Sequence, residues 1–205
     1  MEVLIVAKTH MSNSACVGGL ELSTNRYVRL LNQSNLNQPS DTAFEIGQVW
    51  DLSFTDRSPI YPPHIEDVIV STKNYLRTIE NLPNLLRERN LIDWNGHIDN
   101  IFGGLLHWTN SGTGYIPFGG QMPIKSVGFW LANKDLTRVP FSNKTKFNYR
   151  NGSNYRNISY VGYQEIIATI PSGTILRVSL SRIFPLGNSE IKTPRDYYLQ
   201  LSGWY

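Results

Sequence analysis

Residues 138–163 contain the side chains of this sequence that are best suited to binding chemistry. Lysines and arginines alternate there with aromatic residues, and no Asp or Glu occurs. The cations are Arg138, Lys144, Lys146, Arg150 and Arg156, and the rings are Phe141, Phe147, Tyr149, Tyr155, Tyr160 and Tyr163. Cationic side chains neutralise phosphates, and aromatic rings stack on bases of any sequence. The pattern favours a partner with phosphates and bases, which describes a nucleic acid.

The same residues also fit a twisted antiparallel hairpin with an aromatic inward face and a basic outward face. Asn151 and Gly152 form a typical hairpin turn sequence, so both interpretations stay open. The absence of acidic residues favours ligand contact, because solvated strands usually mix both signs of charge. We predict phosphate contacts for four cations and base stacking for two rings, with three residues near the N-terminus extending the surface. The predicted set is Lys144, Lys146, Arg150 and Arg156, then Tyr149 and Tyr155, then Lys8, His10 and Arg26.

A second group with possible chemistry is formed by Lys8, His10 and Cys16. Cysteine and histidine can act as nucleophile and base, and a nearby lysine would lower the thiol pKa. No third, orienting group accompanies them, and a buried Cys16 would behave as a small hydrophobe. We therefore predict no catalytic residue. A binding role suits Lys8 and His10, since strand ends and first loops border the ligand face of small β-barrels.

The sequence contains no recognised motif for a metal or cofactor site. The four histidines are scattered, and Cys16 is the single cysteine. His64 with Glu66 and Asp67 is the best cluster, although the two preceding prolines favour an ordinary loop. The glycines of residues 112–120 match no phosphate-loop pattern and favour a connection between domains. We expect neither a metal nor a cofactor.

Composition narrows the class of protein. The chain has 205 residues and a net charge of +3, enough length for one large or two small domains. Residues 1–102 carry eight basic and twelve acidic side chains, whereas residues 103–205 carry eleven and four. The second half is therefore the expected site of contact with an acidic partner. One cysteine, and no apolar run of membrane-spanning length, predict a cytoplasmic protein that makes no membrane contact.

Hydrophobic periodicity predicts a mainly β protein. Five strands are expected at residues 2–8, 14–22, 26–31, 49–54 and 67–72, which fits a small barrel of the OB type, although periodicity alone does not distinguish it from another compact β-barrel. Leucine and isoleucine spacing then predicts two amphipathic helices between residues 79 and 106. Five further strands are expected at residues 127–131, 145–150, 158–163, 174–182 and 197–202. The repeated count predicts a first barrel at 1–79, a helical insert and joint at 80–123, and a second barrel at 124–205.

Several segments resemble a poorly characterised bacterial family, the dual OB-containing domain family. They read VAKTHM, CVGGL, RYVRLL, GFWLANKDL and YYLQLSGWY, and they begin at Val6, Cys16, Arg26, Gly128 and Tyr197. The resemblance covers nearly the whole chain and implies two OB-like barrels with a short helical insert between them. It supplies no catalytic residues. OB folds bind single-stranded nucleic acids, but they also bind oligosaccharides, so the ligand class does not follow from the fold.

Three functional hypotheses follow from these observations. The first is a binding protein without enzymatic activity, which holds single-stranded DNA or RNA on the basic second half. The second is an adaptor whose acidic first half docks a partner enzyme, suggested by the division of charge. The third is a binder or enzyme for a nucleotide-like molecule, in a cleft between the barrels near Lys8, His10 and Cys16.

Overall fold

A computed structural model describes residues 1–141, 144–152, 154–183 and 196–205. The first half contains β1 Glu2–Met11, β2 Ser14–Glu21, β3 Tyr27–Leu31, β4 Gln38–Pro39, β5 Gln48–Asp56, β6 Asp67–Thr78, helix α1 Leu82–Glu88, β7 Trp94–Gly96 and a 3-10 helix Ile98–Gly104. The second half contains β8 His107–Trp108, β9 Gly114–Ile116, β10 Val127–Ala132, β11 Leu136–Phe141, β12 Lys144–Asn151, β13 Asn154–Tyr160, β14 Thr169–Ile170, β15 Ile175–Leu180 and β16 Tyr197–Trp204. The chain is mainly β, as its periodicity predicts.

The first five long strands close into a small barrel. Neighbours follow the order β1-β2-β3-β6-β5, and β5 returns to β1. All pairs are antiparallel except β3 and β6. Each predicted strand of this barrel is present, so the OB-like architecture expected for the first part of the chain is confirmed. The short strand β4 pairs with β2 inside the segment expected to be a polar loop.

A bend in the first barrel lies where two adjacent glycines occur. The register of β1 against β2 shifts between Ile5 and Ala7, opposite Gly19 and Gly18. A Cβ atom on Gly19 would lie 2.5 Å from the Val3 Cγ1 atom. The two strands can therefore approach closely only because Gly19 has no side chain.

The second barrel repeats the strand order of the first. Its main strands run β11-β12-β13-β16-β15-β10, with β13 parallel to β16. Strands β10 and β11 together occupy the place of one first strand, interrupted at residues 133–135. Strand β11 lies in a segment for which periodicity predicted no strand. Hence the chain has two OB-like barrels, as the family resemblance implies.

Two short helices lie between the barrels, as predicted. Helix α1 begins after Asn81, whose side chain accepts a hydrogen bond from the Asn84 amide, and it buries Leu82 and Leu86. The second is a 3-10 helix with a kink at Phe102. Neither helix of the described chain has the length and apolarity needed to cross a membrane. The segment expected to be a plain joint contains β9, which pairs with β16, while the division at residues 79 and 124 stays a prediction.

Three apolar cores hold the molecule together. One lies within each barrel, and the third joins them. This third core contains Leu4 and Val6 of β1, Leu86 of α1, and Phe129 and Ile175 of the second barrel. Since burying such a side chain stabilises a fold by about 1.5–3 kcal/mol, the two barrels are expected to pack as one unit.

Candidate functional site

The hairpin of β12 and β13 decides which residues of the basic and aromatic segment can meet a ligand. Its register places Arg150 opposite Tyr155, and Phe147 opposite Ile158. Because side chains alternate along a strand, Lys144, Lys146 and Arg150 share the outward face of β12. Phe147 and Tyr149 take the inward face. The hairpin therefore has the two faces that the packing interpretation predicted.

Tyr149 belongs to the core of the second barrel. The side chain is 0 % exposed, and its ring packs against the rings of Trp130 and His97. Its hydroxyl donates a hydrogen bond of 2.7 Å to Asn133 Oδ1, and burial raises the pKa of that hydroxyl. The predicted stacking role of Tyr149 is wrong, because no face of the ring is open to a base.

Arg150 and Tyr155 form an exposed pair on the outward face. The guanidinium carbon of Arg150 lies 5.7 Å from the centre of the Tyr155 ring. Tyr155 is 54 % exposed, and Lys144 on the same face is also exposed. Among the described residues, no carboxylate forms an ion pair with Lys144 or Arg150. These two charges and one ring are available to a ligand.

Lys146 is covered, although it shares the outward face. It is only 9 % exposed, and its ammonium lies 3.4 Å from the Thr113 hydroxyl. The loop that covers it, residues 109–113, is fixed to β13 through Asn157. The Asn157 amide donates to the Gly112 carbonyl at 2.7 Å, and the Asn157 side chain donates to the Ser111 carbonyl at 2.8 Å. The placement of Lys146 removes it from the accessible cations.

Arg156 lies at the end of the barrel and points away from Arg150. Its guanidinium carbon is 4.4 Å from the Trp108 ring centre, and its Nε atom is 3.6 Å from Asp99 Oδ1. Part of its charge is therefore already compensated. Residues 109–112 and 155–157 line a groove of about 470 Å³ beside it. This groove adjoins the exposed ring of Tyr155.

The three predicted residues of the first barrel have partners near that barrel. Lys8 is buried, and its ammonium contacts Glu45 Oε1 at 2.5 Å. The His10 ring stacks on Tyr163, and Arg26 pairs with Asp56 at 2.6 Å. In the described chain, no hydrogen bond or ring contact joins these residues to Arg150 or Tyr155. The extension of the binding surface through them stays a prediction.

Cys16 and His10 lie on different faces of their hairpin. The register places Cys16 opposite Thr9, and His10 opposite Ala15. Alternation therefore directs the Cys16 and His10 side chains to opposite sides. The arrangement does not form the nucleophile and base pair that the sequence spacing allowed.

A charged cluster at the junction of the barrels was not identified from the sequence as a unit. Asp67 pairs with Arg29 at 2.7 Å, Arg57 at 3.0 Å and Arg182 at 2.5 Å. Burial opposes ionisation of Asp67, but the arginines outweigh that effect and lower its pKa. Beside it, burial and then the charges of Arg182 and Arg29 lower the pKa of His64 to about 4. The cluster links the barrels, because Arg182 follows β15.

A known protein family matches this sequence over almost its whole length. The family described as the dual OB-containing domain matches residues 1–204. No curated protein sequence gives a significant match.

Several solved structures show low structural similarity to this chain over nearly its whole length. A crystal structure of the Ifi202 HINa domain in complex with 20-bp double-stranded DNA shares 12 % identity, with a TM-score of 0.36, over 100 % of this chain and 93 % of that one. The p204 HINb domain shares 12 % identity, with a TM-score of 0.36, over 98 % and 95 %. A murine DNA-binding protein bound to double-stranded DNA shares 8 % identity, with a TM-score of 0.33, over 100 % and 95 %. These values are too low to transfer a property to this chain.

Proposed function

The chain belongs to the dual OB-containing domain family, and from that membership and the exposed basic face of the second barrel we infer that it binds nucleic acid. The ligand is single-stranded DNA or RNA, held across the outward face of β12 and β13. Lys144 and Arg150 contact phosphates, and Tyr155 stacks on a base. The groove beside Tyr155 and Arg156 accommodates the strand as it leaves this face.

The observation that carries the proposal is the exposed Arg150–Tyr155 pair. Arg150 has no carboxylate partner among the described residues and lies beside a half-exposed ring, which suits a phosphate and a base better than it suits packing. Stacking of one base on an aromatic ring contributes about 1–3 kcal/mol. The arginine can add a cation–π contribution to the same ring.

The distribution of charge supports the same surface. The excess of basic over acidic residues lies in residues 103–205. A surface of one sign attracts a polyanion and raises the rate of association.

Fluorescence anisotropy of labelled single-stranded and double-stranded oligonucleotides across a salt series tests the proposal. The affinity of a single strand should fall with a log–log slope of about 0.7 per phosphate contacted. Lys144→Ala combined with Arg150→Ala should reduce that slope by about 1.4, because two contacts are lost. Arg87→Ala is the matched control, since Arg87 is an exposed arginine on α1 of the other part of the molecule.

Two outcomes would overturn this assignment. Wild-type affinity in the double variant would move the site away from β12. Absence of binding at low salt would remove the nucleic-acid proposal, and a partner complex resistant to nuclease would then favour the adaptor hypothesis. Tighter binding of a duplex than of a single strand would keep the surface but reject the single-stranded ligand.

A further inference from the structure

A cavity lies between the two barrels, and none of Lys144, Arg150 and Tyr155 lines it. It has a volume of about 60 Å³, and both barrels contribute to its wall. The first barrel supplies Thr9 and Cys16, and the second supplies Arg177, Ser179 and Ser202. A single buried water needs at least roughly 10–15 Å³ of such volume, so the space is several times this minimum and can hold more than one water or one small ion.

Arg177 is the unusual member of this wall. It is 2 % exposed, and in the described chain it forms no ion pair with a carboxylate. Its guanidinium lies over the rings of Tyr27 and Phe129, at 4.7 and 5.2 Å from their centres. One hydrogen bond joins Nη1 to the Val178 carbonyl at 3.4 Å, and Nε has no partner. An unpaired charge buried in this way is strongly disfavoured unless an anion compensates it.

The surrounding charges also favour an anion. Arg29, Arg57 and Arg182 share the single carboxylate of Asp67, which leaves an excess of positive charge beside the cavity. Glu66 is the one carboxylate that lines the cavity wall. Both of its oxygens already accept hydrogen bonds from Ser126, at 2.7 Å from the amide and 2.8 Å from the hydroxyl. Ser126 is uncharged, so Glu66 keeps its negative charge. Around the cavity the four arginines still outnumber the two carboxylates of Glu66 and Asp67, and in the described chain Arg177 forms no direct ion pair with either.

The wall also provides uncharged donors. The hydroxyls of Ser179 and Ser202 lie 3.0 Å apart, and either can donate outward while it accepts a hydrogen bond from the other. Thr9 lines the same wall. A guanidinium beside several hydroxyls is a suitable donor set for a tetrahedral oxyanion, since charge-assisted hydrogen bonds are the stronger ones.

We propose that the cavity between the barrels is a binding site for a free inorganic oxyanion of phosphate size, held by Arg177 with the hydroxyls of Ser179 and Ser202. The site joins residues of both barrels, so a bound anion stabilises their junction. It is independent of the nucleic-acid proposal, because it uses none of Lys144, Arg150 and Tyr155.

Thermal unfolding of the full chain in phosphate-free buffer, with phosphate titrated against chloride at constant ionic strength, tests this site. A ligand that binds only the folded state raises the Tm with the logarithm of its concentration. Isothermal titration calorimetry should give one phosphate per chain. Arg177→Met, which retains volume but not charge, should abolish both the Tm shift and the heat. A wild-type response in a folded Arg177→Met chain would overturn the proposal.

A second variant keeps the test decisive if Arg177→Met does not fold. Ser202→Ala should weaken phosphate binding by about 10- to 100-fold, the effect expected for loss of one hydrogen bond to a charged group. Ser53→Ala, at an exposed serine of β5, is its control and should bind phosphate normally.

Two further arms separate this site from other sources of phosphate. The Lys144→Ala, Arg150→Ala chain should keep the full phosphate response, and loss of the response there would assign it to the exposed basic face. AMP that stabilises the chain where phosphate does not would overturn the free-anion proposal in favour of a nucleotide.

Discussion

The ring of His10 lies flat on the ring of Tyr163, with the centroids 3.7 Å apart and the planes at 17°. His10 is the last residue but one of the long strand β1 of the first barrel, and Tyr163 follows β13 of the second. The His10 amide donates to the Val161 carbonyl at 2.8 Å, and the Lys8 ammonium lies 5.3 Å from the Tyr163 ring centre. The end of β1 is therefore a structural contact between the barrels.

This contact predicts energetic coupling between His10 and Tyr163. A double-mutant cycle with His10→Ala and Tyr163→Ala should give a coupling of about 0.5–1.5 kcal/mol in the free energy of unfolding. Urea denaturation of the four chains measures it. A cycle of Tyr163→Ala with His107→Ala is the control and should be additive, because His107 packs on Tyr115 instead. Additivity in the first cycle would show that the stacked rings do not stabilise the junction.

The low pKa of His64 predicts a loss of stability in mild acid. Its pKa is about 4 in the folded chain and 6.5 in the absence of the fold. Between these values the unfolded chain binds the additional proton, so stability falls as pH decreases from about 6.5 to 4. The shift corresponds to a loss of about 3 kcal/mol over this range. Urea denaturation at a series of pH values measures it.

His64→Gln should remove most of this pH dependence, because glutamine does not titrate. Glutamine can still donate a hydrogen bond to the Ser181 carbonyl, which His64 contacts at 3.2 Å. Asp67 contributes at lower pH, because its folded pKa lies below 3.8 and its stabilisation is lost only as pH falls through that folded value. An unchanged slope between pH 6.5 and 4 in His64→Gln would contradict the assignment.

Removing the charge of Asp67 should strongly lower the stability of the fold. Replacing Asp67 by Asn leaves Arg29, Arg57 and Arg182 close together without their shared carboxylate. Breaking a buried ion pair in this way costs about 3–5 kcal/mol. Asp56→Asn, which breaks the exposed pair with Arg26, should cost about 0–1 kcal/mol. Calorimetric unfolding of both variants tests the contrast, and equal Tm values would reject the central role of Asp67.

Local periodicity was sufficient for most of the fold. The five strands of the first barrel and the helix at Leu82 follow from alternation and from leucine spacing, which are properties of neighbouring residues. Strand β11 is not predicted because its exposed residues 137–140 give no apolar alternation, and its place is fixed by pairing with the next strand, β12. Backbone pairing between two strands leaves no mark in the apolar pattern of one of them.

The binding site stays a prediction, and the structure bears only on which of its residues are accessible. The segment of alternating cations and rings forms a hairpin, and Arg150 and Tyr155 are exposed there. Applying the period of two to Phe147 and Tyr149 would have assigned both to the inward face. The cover over Lys146 could not be foreseen, because residues 109–113 are distant in the sequence. The burial of Arg177 without an ion pair among the described residues was also not predictable, because its segment has the pattern of an ordinary strand.

Alanine should destabilise the fold much more at Gly112, in the loop over Lys146, than at Gly119, although the two glycines have similar φ values. Gly112 and Gly119 have φ values of +77° and +80°, so alanine is strained at both. At Gly112 the new Cβ would also lie 2.2 Å from the Tyr155 carbonyl oxygen, whereas nothing lies within 4 Å at Gly119. Gly119→Ala should therefore cost only the strain, about 1–2 kcal/mol.

Gly112→Ala should cost clearly more and displace the loop from β13. Hydrogen exchange of the Asn157 amide, which donates to the Gly112 carbonyl, reports that displacement directly. Equal unfolding free energies and unchanged exchange in the two variants would show that the loop does not depend on this close approach.

Substitutions of Tyr149 and Tyr155, on neighbouring strands of one hairpin, should affect different properties. The first should lower stability, and the second should lower the affinity for oligonucleotides. Tyr149→Phe removes the hydroxyl that bonds to Asn133, which should cost about 0.5–1.5 kcal/mol of stability and leave oligonucleotide affinity unchanged. Tyr155→Ala should weaken single-strand binding by about 1–3 kcal/mol, while an exposed position changes stability by less than about 0.5 kcal/mol. Anisotropy and urea denaturation of both chains measure the two quantities. If Tyr155→Ala instead lowers stability and keeps affinity, the ring is a packing element, and the hairpin has no stacking residue at its outward face.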